Sequence, residues 1–283
     1  MAIAESQVGR LVSGNRYSSL MVASAESLIR CGGLDVRDWR QHCIPDSVGE
    51  IPPEAAWLGM LPIALFYHED ESWLNRQLTE AIALWPQSNS RESDLMNLMT
   101  IGWAIARILT HKVEAATTIP YILKRLNNGE KISEQLENKL RTMHLLLSQS
   151  ASLETAMVEL KISNDPNSTA IATALYCFLS TPENFPISVQ RAAQTRSQPH
   201  LTTLLAGALS GAYNSCVGMP MNWQLSDSIA IDRRNILEQI TVADRLFATW
   251  SGLYDADKTL ADRPLNPLMA AIAQPVRESL DAS

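Results

Sequence analysis

Thr202–Trp223 reads TTLLAGALSGAYNSCVGMPMNW. Its first half predicts a helix with small residues at Ala206, Gly207, Ala208, Gly211 and Ala212. Gly207 and Gly211 lie four apart, so they share a helix face. Glycine inside a helix costs roughly 1 kcal/mol against alanine, so a pair on one face points to a tight packing requirement. A short Gly-Met-Pro turn at Gly218–Pro220 and then Trp223 close the stretch. Periodicity alone makes this a buried helix in a helical protein.

The rest of the chain agrees. Ser18 and Ser19 are placed to cap a helix running to Arg30, and Cys31-Gly32-Gly33 is placed to stop it. Leu34–His42 is a short second helix with Trp39, and Ile44–Pro53, with three prolines, is a loop. Glu54–Tyr67 is an apolar helix expected to kink at Pro62. Trp73–Trp85 and Leu95–Leu109 follow with helical spacing, separated by Pro86–Ser90. Thr118–Leu126 is short, with Pro120 in its first turn. In Ser133–Gln149 the stripe is Leu136, Leu140, Met143 and Leu147, with Glu134, Glu137, Lys139 and Arg141 outside. Leu153–Leu160 is a further short helix. Thr169–Leu179, capped by Ser168, is apolar nearly all round and is therefore central. Glu183–Thr195 precedes the 202–223 stretch, and Arg234–Leu253 is the last helix. No strand-like alternation persists beyond a few residues, so the expected class is all-α. The expected organisation is a loose arm over 1–14, one helical domain over 15–254 and a tail over 255–283.

Composition bounds the function. The 283 residues are 46% hydrophobic and 19% charged, which fits an ordered globular chain. The net charge of −7 and pI near 5.3, without a basic run, give no electrostatic case for nucleic acid or an anionic membrane. The four cysteines, Cys31, Cys43, Cys177 and Cys216, have no CxxC spacing and read as free thiols in a reducing compartment. MAIAESQVGRLVSGNR has no continuous apolar core, and Ala55–Tyr67 and Leu201–Tyr213 are too short to span a bilayer. A cytoplasmic protein is expected. Asp227 and Asp232 in QLSDSIAID lack the glycine and terminal glutamate of a calcium loop, and His68-Glu69-Asp70-Glu71 is a polar turn. His42, His111 and His144 have no partner at ligand spacing, and there is no GxGxxG or GxxxxGK[ST].

Three stretches, in order, resemble the ADP-ribosylglycohydrolase family. SSLMVASAESLIRCGGLDVRD (Ser18–Asp38) looks like the helix after that family's Thr-Asp-Asp-Thr motif. LYCFLSTPENF (Leu175–Phe185) resembles its Ala-Leu-Trp/Tyr-Ala-Phe-Leu segment, and Leu204–Trp223 its last long motif. ADRLFATWSGL (Ala243–Leu253) is a weaker likeness to the closing helix. The resemblance implies a single-domain helical fold with a cleft between helix ends. It also implies two metal ions, usually magnesium, held by the Thr-Asp-Asp triplet and an Asp-x-Asp-Thr motif, which orient the ribose and activate water.

On that resemblance the first triplet falls on Asn15, Arg16 and Tyr17, and the second motif on Gln198, His200 and Leu201. Neither place holds a carboxylate. Between Val8 and Asp35 the only one is Glu26, and between Asn184 and Ser226 there is none, so a slip of register changes nothing. The expectation is a pseudo-hydrolase without catalytic residues and without the two magnesium ions. Asn15, Arg16, Tyr17, Gln198 and His200 would line its cleft. Arg16, whose guanidinium suits phosphate, could hold an ADP-ribose-like nucleotide without metal. A protein scaffold with a filled cleft is a second expectation. An active hydrolase of ADP-ribosyl bonds with an atypical site is a third, and it would need an acid and a base from carboxylates such as Glu54, Asp94 or Asp227.

Overall fold

The structure, a computed structural model, describes residues 14–44, 57–85, 91–110, 113–127, 134–160, 165–220 and 230–253, with backbone alone at 14–17, 91–92, 216 and 230–237. Twelve α-helices, one short 3-10 helix at Cys216–Gly218 and no strand occur among the described residues. The α-helices are α1 Gly14–Cys31, α2 Val36–Cys43, α3 Leu61–Phe66, α4 Glu71–Leu84, α5 Arg91–Leu109 and α6 Ala115–Asn127. Then come α7 Glu134–Ser148, α8 Leu153–Leu160, α9 Pro166–Leu179, α10 Phe185–Ala193, α11 Pro199–Asn214 and α12 Ala230–Trp250.

Two groups of helices share one continuous apolar core. α1 packs on α2, α3 and α12, while α9 packs on α7, α8, α10 and α11. α5 joins the groups, packing against α3 and α4 and also against α9 and α11. The nearly all-apolar pattern of α9 has its expected consequence, since every residue from Ser168 to Leu179 is buried. On α11, a Cβ built at Gly211 would meet only the Phe185 ring, at 3.8 Å. That is ordinary contact, so the small residue there is not sterically required.

Local chemistry sets the helix ends. Gly32, at φ +69°, follows α1, and the Gly33 N–H reaches back to the Leu28 carbonyl at 3.1 Å. This is the six-residue loop that a left-handed glycine closes. Asp35 caps α2 by accepting from the Arg37 and Asp38 amides, and Asp70 caps α4 in the same way.

Several expectations are corrected. α1 starts at Gly14, so Ser18 and Ser19 lie inside it and do not cap it. The apolar helix before Tyr67 does not kink at Pro62. It breaks at Met60, and Pro62 sits in the first turn of α3, where its missing N–H costs nothing. α6 begins at Ala115, which puts Pro120 in its second turn. The Ala116 carbonyl that Pro120 cannot serve lies on an exposed stretch, where water can take its place. α9 is capped by Asp165, with Pro166 next, and not by Ser168. Lys139 is buried, not outside, because its spacing from Leu136 and Met143 puts it on the apolar stripe of α7. The loops expected at Pro86–Ser90 and over most of Ile44–Pro53, the arm up to residue 13 and the tail from 254 lie outside the described residues.

The corner between α1 and α2 carries an acid-sensitive pair. Arg30 donates to both carboxylate oxygens of Asp38, at 3.0 and 2.6 Å, and the Ser27 hydroxyl adds a bond at 2.7 Å. The guanidinium holds the Asp38 carboxyl at about 2, below its usual range, although partial burial opposes this. A carboxyl depressed in the folded state stabilises the fold above its unfolded pKa, and that contribution fades as pH falls from about 4 toward 2. The melting temperature should therefore fall more steeply over that interval in the wild type than in Asp38→Asn. Parallel curves would contradict the pairing.

Candidate functional site

The site is built where α9, α11 and the beginning of α5 meet. α11 opens unusually. Gln198, its N-cap, has φ 44° and ψ 57°, and no side chain caps the helix. A side-chain-bearing residue in the left-handed region costs on the order of 1–3 kcal/mol and persists only where its surroundings fix it. Here the Gln198 carbonyl accepts from the Thr202 amide at 3.0 Å and the Thr202 hydroxyl at 3.0 Å. The Gln198 side-chain amide donates to Asn167 Oδ1 at 2.9 Å. Its own carbonyl oxygen, Oε1, is buried with no hydrogen-bond partner. His200 follows in the same turn, half-buried, and burial lowers its pKa, which favours the neutral ring at pH 7.

Asn167 belongs to the first turn of α9, and that turn is a closed polar network. Asp165 accepts from the Asn167 amide at 3.0 Å, the Ser168 amide at 3.3 Å and the Ser168 hydroxyl. Ser168 Oγ also lies 3.3 Å from the side-chain amide of Asn97 on α5. Ser168 has one proton, and the closer Asp165 carboxylate takes it in preference to Asn97. Asp94, a turn earlier on α5, is also buried. On the far side, Lys139 Nζ donates to the Leu160 carbonyl at 2.7 Å and to Thr169 Oγ1 at 2.6 Å. The Thr169 hydroxyl passes its own proton to the Asp165 carbonyl at 2.7 Å. Burial lowers the Lys139 pKa, and the nearby Asp165 charge opposes the shift.

Of the residues expected in the cleft, Gln198 and His200 therefore stand together at the start of α11. Leu201 is buried one residue on. Asn15, Arg16 and Tyr17 form the first turn of α1, and their side chains lie outside the described residues. Glu54 and Asp227 also lie outside them. Sequence reasoning missed Asn167, Asp165, Asn97 and Lys139. The Asp-Pro pair at 165–166 was a readable cap signal, and Lys139 was recognisable from its place on the α7 stripe.

The described donors at the start of α11 are not, by themselves, the set that a pair of magnesium ions requires. Hard divalent cations require anionic oxygen donors. The start of α11 offers an amide and an imidazole, and the nearest carboxylate of the network, Asp165, is spent on capping α9. Among the described residues no three of His, Cys, Asp or Glu converge.

Comparison with known families finds a match to ADP-ribosylglycohydrolase over residues 38–256. The chain belongs to the ADP-ribosylglycohydrolase family. No curated protein matches it by sequence. The all-helical architecture is that of the family fold. Leu175–Phe185, Thr202–Trp223 and Ala243–Leu253 lie inside the matched region, together with Gln198 and His200. Ser18–Asp38 lies ahead of it except for Asp38 itself, so the placing of Asn15, Arg16 and Tyr17 rests on the resemblance of that stretch alone. Among the described residues no helix of this glycohydrolase-family chain is long and apolar enough to cross a membrane.

Proposed function

We propose that this chain is a glycohydrolase-family protein that binds in its cleft and does not hydrolyse. The observation behind this reading is the carboxylate-free start of α11. Gln198 is committed to Asn167, and His200 is held toward its neutral form. Glycosidic cleavage in this cleft would need a general acid and a base, or metal-activated water, within reach of one bond, and neither Gln198 nor His200 with its neighbours makes such a pair.

The proposed ligand is an ADP-ribose-like nucleotide. Arg16 lies in the first turn of α1, where the helix dipole disfavours a cation. A bound diphosphate would reverse that cost, because it answers both the guanidinium and the helix end. A protein partner filling the cleft is the other outcome. The described cysteines are free thiols, and the setting proposed for them is reducing and cytoplasmic.

The test is incubation with an ADP-ribosylated substrate and magnesium, followed by measurement of released ADP-ribose. No release is expected. Metal-dependent release that disappears in His200→Ala would overturn the reading. In binding experiments Arg16→Ala is expected to weaken ADP-ribose affinity at least about tenfold, as loss of a charge-assisted phosphate contact does. Unchanged affinity would remove Arg16 from the site.

A further inference from the structure

Lys139 is out of keeping with its place. It sits on the apolar stripe of α7 between Leu136 and Met143 and is only 5% exposed. An apolar side chain of similar length would avoid desolvating a charge there. Its two acceptors lie on other helices, at the last residue of α8 and in the first turn of α9. The Thr169 hydroxyl joins Lys139 to the Asp165 backbone. The Asp165 carboxylate fixes the Asn167 amide, and the Asn167 side chain holds Gln198. Four hydrogen bonds thus lead from the α7 stripe to the left-handed residue that opens α11, joined through the covalent frames of Asp165 and Asn167.

We infer that Lys139 is a positioning residue for the start of α11, acting through Thr169, Asp165 and Asn167 to hold Gln198 in its left-handed conformation. It touches no ligand. Its role is the same whether the cleft binds a nucleotide, binds a protein or turns over a substrate, so the inference does not depend on the proposed function. The relay carries the geometry of the α7–α8–α9 corner to the family cleft. Without it, the first turn of α9 holds Asn167 less firmly against Gln198, and the first turn of α11 opens.

The Thr202 amide reports this directly, because its acceptor is the Gln198 carbonyl. Hydrogen exchange read by NMR on the full chain compares wild type with Lys139→Met, Thr169→Val and Asn167→Ala. Lys139→Met is expected to speed exchange at Thr202 by at least about tenfold, as a local opening does. Val242 and Leu246 on α12, far along the chain, should keep their protection. Asn167→Ala should reproduce the Thr202 effect and leave α7 unchanged. The double variant should exchange at Thr202 no faster than Asn167→Ala alone, since both cut one chain of contacts. A purely structural lysine would give faster exchange in α7 and α8, or everywhere, with no selective effect at Thr202, and that result would overturn the inference. So would additivity in the double variant. If Lys139→Met does not fold, Thr169→Val decides alone. It keeps the bond to Leu160, and wild-type exchange at Thr202 would then sink the proposal.

Discussion

Trp39→Ala is expected to lower the unfolding free energy by about 3–5 kcal/mol, the range for truncating a buried large aromatic residue. α2 has only eight residues, and its buried side chains are Trp39 and Cys43. Trp39 has no exposed surface, and its indole N–H donates to Ser24 Oγ on α1 at 2.9 Å. Truncation therefore removes most of what docks α2. It also leaves a cavity and strands a hydroxyl that is itself fully buried. Trp39→Phe separates these effects. It keeps most of the volume and loses the hydrogen bond, so it should cost about 1–3 kcal/mol. Urea unfolding with the slope held in common measures both. A loss under about 1 kcal/mol for the alanine variant would contradict the packing described for this corner.

Asp165→Ala should cost about 2–4 kcal/mol, and for a different reason. The side chain caps α9 through two backbone amides, and such caps are worth roughly 0.5–2 kcal/mol. It also accepts from Ser168 and supplies the negative charge nearest the buried Lys139. Removing it leaves the buried ammonium with its two hydrogen bonds but without its nearest counter-charge, which is the costly way to break a buried charged network. Asp165→Asn keeps an oxygen for the cap and loses the charge. It should fall between wild type and alanine, and the gap between the two variants measures the electrostatic share. Equal losses would mean that the charge contributes nothing and that Lys139 is satisfied by Leu160 and Thr169 alone.

Helices were legible in this sequence where one signal was local and strong. The Cys31-Gly32-Gly33 stop is such a case, because only a residue free to adopt positive φ closes that loop cheaply. The all-round burial of α9 is another, since a helix apolar on every face must be surrounded. The misplaced features each involve two signals in competition. Ser168 and Asp165 can both cap, and Asp165 prevails because Pro166 is pre-set for the first helical position. The charge of Lys139 points to solvent, yet its position on the stripe decides its burial. Pro62 predicts a kink if 54–67 is one helix, but a helix that starts afresh at Leu61 tolerates it without strain.

The site was less legible. Gln198 and His200 were singled out through likeness to a family motif, and no periodicity points to them. The contact that makes Gln198 structurally meaningful comes from Asn167, thirty-one positions away. Nothing in a local pattern encodes such a pairing. It exists because α9 and α11 pack side by side with their first turns adjacent.

Metal-free binding in the cleft is measured by a calorimetric titration of the purified protein with ADP-ribose, run with and without magnesium. Binding of equal affinity is expected in both buffers. Binding that appears only with magnesium would contradict it, because the start of α11 would then have to share its ligand with a metal that its amide and imidazole do not suit.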